Sequence, residues 1–264
     1  MRYFDSHSHY YDGRFETECE TSADELIGAL LKDTVSYIVN VGTSAESSRL
    51  AAEQARRHDG VFSAIGIHPS DTRDITCAPE DAVAEIRELI LDPENKCVAL
   101  GEIGLDYHYP ETDKEKQKRF FHLQMQLAGE LSFPVVIHDR DAHGDVMDVI
   151  RSYPDVRGVL HSYSGSAEMA KELIARGYYI SFSGTITFKN ARVPREVAAT
   201  LPRDRILIET DAPYLAPHPE RGTLNHSGKL KYTNASLASV LGISEEECAA
   251  LTEENAKCFF GIKQ

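Results

Sequence analysis

CVALGEIGLD, residues 97–106, runs apolar from its first residue and meets a carboxylate, Glu102, only past its middle. A strand with one wet face alternates apolar and polar side chains, whereas a strand of a parallel sheet is covered on both faces and reads as an unbroken apolar run. The stretch therefore predicts a buried parallel strand with an acid toward its far end. Seven more runs of the same kind follow along the chain: RYFDSH (2–7), SYIVNVG (36–42), VFSAIGIH (61–68), PVVIHDR (134–140), GVLHSYSG (158–165), YYISFSG (178–184) and ILIETDAPY (206–214). Between them lie stretches with helical spacing at 22–32, 44–58, 79–91, 113–131, 143–153, 167–177 and 195–201, with Ser22, Ser44 and Asp113 placed as N-caps. Two final helices are expected over 233–242 and 244–261. Eight strands alternating with helices predict an α/β fold, a TIM (β/α)8 barrel, as a single domain over residues 1–264. The alternative is an open doubly wound sheet, which would gather ligand contacts at one switch point instead of on most strands.

Composition narrows the function classes. No run of eighteen apolar residues occurs and the N-terminus has no apolar signal core, so a cytoplasmic protein without a membrane span is expected. The five cysteines are scattered, with no C-x-x-C pair, which points to free thiols and away from a disulfide framework or a thiolate zinc site. A formal net charge of -14 opposes sequence-independent attraction to phosphate backbones, so a nucleic-acid substrate would have to be met by local cations and bound metal. Nothing in the sequence points to an obligate protein partner.

The informative residues are those at which each apolar run ends. His7 and His9 end the first run, His68 the third, Glu102 the fourth, His138 the fifth, His161 the sixth and Asp211 the eighth. In a barrel these positions share one rim, the face that carries active sites. Strand alternation also puts Asp5, His7 and His9 on one face. Four histidines with two carboxylates suit one or two divalent ions: zinc, manganese or iron for imidazole, magnesium for oxygen donors. His7, His9, Glu102 and Asp211 would form one cluster, and Glu102, His138 and His161 a second, with Glu102 spanning both. Asp5 and Glu209, two residues before a ligand, are expected behind the imidazoles, fixing their tautomers. Taken singly, His138 or His161 at a strand end is more often a satisfied structural residue than a ligand. His58, His108, His122, His143 and His218 fall on helices or loops and read as incidental, although His108 and His143 lie near the rim.

The fragments DSHSH, GIHP, GEIGLDY, PVVIHDRDA, HSYSG and ETDAPYLAP…RGTLN, in this order, resemble the TatD-related metal-dependent hydrolases of the amidohydrolase superfamily, over essentially the whole chain. The resemblance implies a TIM barrel with a mono- or dinuclear metal centre (magnesium, zinc or manganese) and hydrolase activity, most often deoxyribonuclease. It implies His7, His9, Glu102, His138, His161 and Asp211 as metal ligands and His68 as a contact to substrate phosphate. Two departures stand out. Ser162 and Tyr163 replace the Cys and Phe common in the sixth-strand motif, and His226 stands in TLNHSGK where the family commonly has an acid.

A metal-activated water attacking a phosphodiester is the expected chemistry, with Asp211 orienting the water and taking its proton, Glu102 and His68 assisting, and His68, Arg140, Arg221 and Asn225 meeting the substrate. Either arginine could instead be tied into a rim salt bridge with Asp139, Asp141 or Glu220. The expected substrate is an end of single-stranded DNA or RNA, cleaved exonucleolytically in the 3′-5′ sense. The alternative is ester or amide hydrolysis, including D-aminoacyl-tRNA deacylation, and the remaining reading is a non-catalytic metal-binding protein.

Overall fold

In the computed structural model, which describes residues 1–262, the strands are β1 (Tyr3–Ser8), β2 (Val35–Val41), β3 (Val61–Ile65), β4 (Cys97–Asp106), β5 (Val135–Arg140), β6 (Gly158–Leu160), β7 (Tyr179–Phe182) and β8 (Ile206–Ile208). They pair in parallel in the order β1 to β8. The ring closes just beyond β8, where His9 N donates to Ala212 O at 2.7 Å and Asp211 N to His7 O at 2.9 Å. A doubly wound sheet would reverse its strand order partway, and this one never does. Around it lie α1 (Arg14–Glu18), α2 (Ala23–Asp33), α3 (Ala45–Arg57), α4 (Pro79–Leu91), α5 (Lys114–Leu131), α6 (His143–Ser152), α7 (Ala167–Ala175), α8 (Arg192–Thr200), α9 (Leu230–Leu241) and α10 (Glu245–Phe260). Ser22 and Ser44 cap α2 and α3 in capping boxes, and Asp113 accepts from Lys116 N to cap α5. The short α1 has no counterpart in the sequence reading. None of the helices among the described residues is long and apolar enough to cross a membrane.

One apolar cluster takes residues from every strand: Phe4, Val39, Val41, Ala64, Ala99, Val136, Val159, Tyr179 and Leu207. Only the lumen of a closed barrel allows this. Phe259 and Phe260, at the end of α10, complete the cluster, with Phe260 stacked on Phe4 at 5.7 Å between ring centroids. The alternate strand residues, such as Ile38, Ile65, Leu100, Ile137 and Ile208, belong to the layer packed against the helices.

This alternation explains how the polar rim is built. His138 stands on β5 two residues beyond the lumen position Val136, and His161 and Glu209 stand just past the ends of β6 and β8, two residues beyond Val159 and Leu207, so that all three continue the inward face. Strict alternation from Ala99 would send Glu102 outward, but β4 shifts register against β5 between Leu100 and Ile103. β1 shifts register against β2 between Asp5 and Ser8. Such irregularities re-aim side chains, and these two turn His7 and Glu102 into the lumen. The expectation that Asp5 shares a face with His7 and His9 is corrected by the β1 shift: Asp5 lies on the outer side, bonded to Thr210 and Ser227.

The strands also end earlier than the apolar runs suggest. β3 stops before Gly66, where a Cβ would lie 2.8 Å from the Gly101 carbonyl carbon, so the two backbones pass too closely for any side chain. His68, His161 and Asp211 consequently sit on loops leaving the strands.

Candidate metal centre

Five imidazoles and two carboxylates converge at the top of the lumen. Glu102 is the hub, 4% exposed. Its Oε2 lies 3.4 Å from His7 Nε2 and 3.7 Å from His9 Nε2. Its Oε1 lies 2.8 Å from His161 Nε2, 2.9 Å from His138 Nδ1 and 3.5 Å from His68 Nε2. Asp211 Oδ1 completes the first side at 3.4 Å from His9 Nε2 and 3.7 Å from His7 Nε2, and those two nitrogens are 3.1 Å apart. His138 Nδ1 and His161 Nε2 are also 3.1 Å apart.

These spacings fit a cation. Donors held about 2.0–2.1 Å from one ion lie roughly 3.3 Å apart in a tetrahedron and roughly 3 Å apart in an octahedron. The groups His7–His9–Asp211, His7–Glu102–His161 and His68–Glu102–His138 each offer donor atoms within 4.8 Å of one another. The first lies within the expected cluster of His7, His9, Glu102 and Asp211; the second joins His7 to Glu102 and His161 where the expected cluster has His138, and the third joins His138 and Glu102 to His68.

The outer nitrogens distinguish the five rings, because a ring nitrogen that faces a carbonyl or carboxylate must carry the proton. His9 Nδ1 donates to Val41 O at 2.7 Å, so its Nε2 lone pair points inward. His161 Nδ1 donates to Glu209 Oε1 at 3.3 Å, again leaving Nε2 free to bind, and the same oxygen accepts from Ser162 N at 2.6 Å. His138 places Nε2 3.3 Å from Asp106 Oδ2, in a contact too oblique for a full hydrogen bond, and presents Nδ1 to the centre. His68 is the opposite case. Its Nδ1 accepts from Ser70 N at 3.1 Å, so the neutral ring carries its proton on Nε2, aimed at the centre. Burial pulls its pKa down to about 3, keeping it neutral. His68 is thus built as an inward donor, and His9, His138 and His161 as inward acceptors. His7 Nδ1 is buried without a partner among the described residues.

Burial pushes the Glu102 carboxyl up, but His161, His68, His7 and His138 outweigh it and hold the group well below the usual carboxylate range. Burial likewise opposes charge on His161, His9 and His138, yet the facing carboxylates raise all three. A divalent cation would replace those protons, since ligands must be deprotonated to bind. Asp211 is ionised as well: burial raises it, and the hydrogen bond with His9 and the neighbouring imidazoles more than offset this. It adopts φ 58°, and Asp141, Ser162 and Leu215 on the same rim have φ 56°, 40° and 51°. Left-handed backbone in non-glycine residues gathers at sites that over-determine it.

The other expected residues are placed as follows. Asp5 touches no imidazole. It accepts from Ser227 Oγ, Thr210 Oγ1 and Thr210 N, anchoring β1 to the loops after β8, and burial pushes its carboxyl up to about 6. Asn225 is fully buried, gives its amide hydrogens to Thr210 O and Tyr214 O and accepts from His226 N, which leaves nothing for a substrate. Arg221 lies over the Phe188 ring at 4.2 Å. Arg140 stands at the rim, 4.0 Å from Asp106 and 5.7 Å over the Tyr109 ring. His108 and His143 pair with Asp141 and Asp139 at the rim. Sequence reasoning missed Asp106, although a strand period of two places it on the same side as Glu102, four residues before it.

The sequence model of the family described as TatD related DNase matches residues 4–261. The chain is 40% identical over 261 residues to the metal-dependent hydrolase YabD of Bacillus subtilis, covering 98% of this chain and 99% of that one. It is 33% identical over 246 residues to the 3'-5' ssDNA/RNA exonuclease TatD of Shigella flexneri, covering 90% of this chain and 93% of that one. The crystal structure of the TatD homolog YjjV from Escherichia coli superposes with a TM-score of 0.89 at 26% identity, covering 99% of both chains. A barrel of this order, with histidines and acids gathered on its C-terminal rim, and full-length similarity to these proteins establish that the chain belongs to the TatD-related family of metal-dependent hydrolases.

Proposed function

We propose that this protein is a metal-dependent phosphodiesterase that trims single-stranded DNA or RNA from an end. The observation that carries the reading is the tautomer pattern: His9 and His161 spend their outer nitrogens on a carbonyl and a carboxylate, so that a cation would meet their inner nitrogens as lone pairs beside two ionised carboxylates, while His68 alone is fixed with its N–H inward in the neutral ring. His7, His9 and Asp211 would hold one divalent ion and Glu102, His138 and His161 a second, with magnesium, manganese and zinc all compatible with the mixed donors. A bound divalent ion supplies Lewis acidity and brings the pKa of its water down toward 7.

The protein's own groups do the rest. Asp211 is 14% exposed against 4% for Glu102, so it is the ionised carboxylate that approaching water meets, and it takes the proton. Glu102, enclosed by imidazoles, orients the ligands. His68 Nε2–H donates to a phosphoryl oxygen, and Arg140 neutralises a flanking phosphate. The exonuclease named among the relatives supports the choice of bond. A second reading, hydrolysis of a carboxylic ester or amide by the same groups, is favoured by the net charge of -14.

Labelled single-stranded oligonucleotides incubated with magnesium, manganese or zinc test the assignment. A ladder receding from the 3′ end is expected, with at least a hundredfold loss of rate in Asp211→Asn and in Glu102→Gln. Near-normal turnover in either variant would remove the assigned roles. Silence on oligonucleotides with every metal, alongside ester turnover, would favour the second reading.

A further inference from the structure

Beside the metal centre, between the loops that follow β3 and β4, lies a cleft of about 230 Å³. It is below the ~300–1,000 Å³ of sites for drug-sized ligands, a size for one ring system. Ser70 and Arg73 form one side, Tyr109, Glu111 and Asp113 the other, and Gln117 also lines it. Two of these residues tie it to the centre. Ser70 N donates to His68 Nδ1 at 3.1 Å, and Gln117 Oε1 accepts from Asp106 N at 2.9 Å. Tyr109 is 48% exposed, one of few large apolar side chains left open to solvent. Arg140 sits over its ring and is 45% exposed; its guanidinium makes no hydrogen bond among the described residues and approaches an acid only at 4.0 Å. The rim's other exposed tyrosine, Tyr214, differs in that its hydroxyl is engaged, donating to Asp12.

We infer that this cleft is a nucleobase subsite, in which a base of the substrate strand stacks on Tyr109 while Arg140 holds the adjoining phosphate. The inference rests on the nuclease reading and adds the path of the strand. Aromatic faces stack on any base, and arginine supplies the charge that follows the backbone. The carboxylates of Glu111 and Asp113 would repel a phosphate but can accept from the edge of a base, so the base enters the cleft and the phosphate remains at Arg140.

Steady-state cleavage of single-stranded oligonucleotides, each carrying one abasic residue at a successive position from the scissile end, crossed with Tyr109→Ala and Tyr109→Trp, tests this. Thermal melting checks that the variants fold. In the wild type, one abasic position should raise KM by about fivefold or more, from the stacking normally worth ~1–3 kcal/mol per base. Tyr109→Ala should show the same rise with the intact strand and no further rise with the abasic one, and Tyr109→Trp should restore the wild-type KM. Independent, additive effects, or an unchanged KM in Tyr109→Ala, would overturn the subsite and leave the nuclease reading standing. Failure of the wild type to cut any oligonucleotide would overturn both.

Discussion

Individual residues at this site are defined by what stands behind them. His138 reaches the centre through Nδ1 and has Asp106 Oδ2 behind Nε2 at 3.3 Å, and Asp106 is itself held by His108 N at 2.9 Å. Removing such a partner typically weakens metal binding 10- to 100-fold. We expect Asp106→Ala to lose affinity in that range in a competition titration with a chromophoric chelator, and Asp106→Asn, which keeps an acceptor, to recover much of it. Equal affinity in Asp106→Ala and wild type would deny the positioning role. His226 illustrates a residue with consequences of another kind. Its Nδ1 accepts from Gly228 N at 3.2 Å, and burial together with Lys229 pulls its pKa down to about 4. Because the folded state refuses a proton that the unfolded chain accepts below about 6.5, stability is lost as pH falls from about 6.5 to about 4. The limiting slope is about 1.4 kcal/mol per pH unit, and with the shift discounted for partial exposure the loss between pH 6.5 and 5 comes to about 1 kcal/mol. His226→Asn keeps an acceptor for Gly228 and removes the titration. Between pH 6.5 and 5, urea unfolding of chelator-treated protein should therefore show wild type losing about 1 kcal/mol more than the variant, and equal losses would count against a titrating His226.

At the scale of strands and loops, close approach decides geometry. Gly104 in β4 has φ +136°, and a Cβ there would fall 2.0 Å from His138 O on β5. Gly104→Ala should cost at least about 2 kcal/mol, from strained backbone and the displaced strand, measured as a lower urea midpoint. Metal affinity should fall too, because His138 lies at the point of collision; an unchanged midpoint would be inconsistent with this packing. The eight strands were legible because burial on both faces leaves an unbroken apolar run. The rim residues were legible because a polar group at the end of such a run costs desolvation unless a partner or an ion compensates it. Alternation alone misplaced Asp5, since nothing in FDSHSH announces the register shift that turns His7 to the opposite side from it. Asn225 was misjudged for a related reason. A residue on a loop shows its chemistry in the sequence but not its partners, and Thr210 O and Tyr214 O are contacts made across the fold. Asp106 was legible in principle, since a period of two counted from Glu102 in GEIGLD reaches it four residues later.

The whole molecule carries a net charge of -14, yet two of its acids, Glu102 and Asp211, face a cluster of five imidazoles that cannot all be charged together. The facing carboxylates Glu102 and Asp211 favour protons on His161, His9 and His138; a bound cation would displace those protons and would cross-link the rim through β1, β4, β5 and the loops after β6 and β8. The native state alone assembles these donors, so binding should stabilise folding by RT ln(1 + [L]/Kd), about 2.7 kcal/mol at a hundredfold excess over Kd. For a domain of this size, 1 kcal/mol moves the melting temperature by roughly 2–4 °C. Chelator-treated protein should therefore gain about 5–10 °C when zinc or manganese is restored at that excess, and release protons into a weak buffer as it does so. Because the same donors generate both effects, Glu102→Gln should diminish them together. A melting temperature indifferent to zinc, manganese and magnesium would mean that the rim is organised by protons alone, and the convergence of seven side chains from six parts of the sequence would then need a purely structural cause.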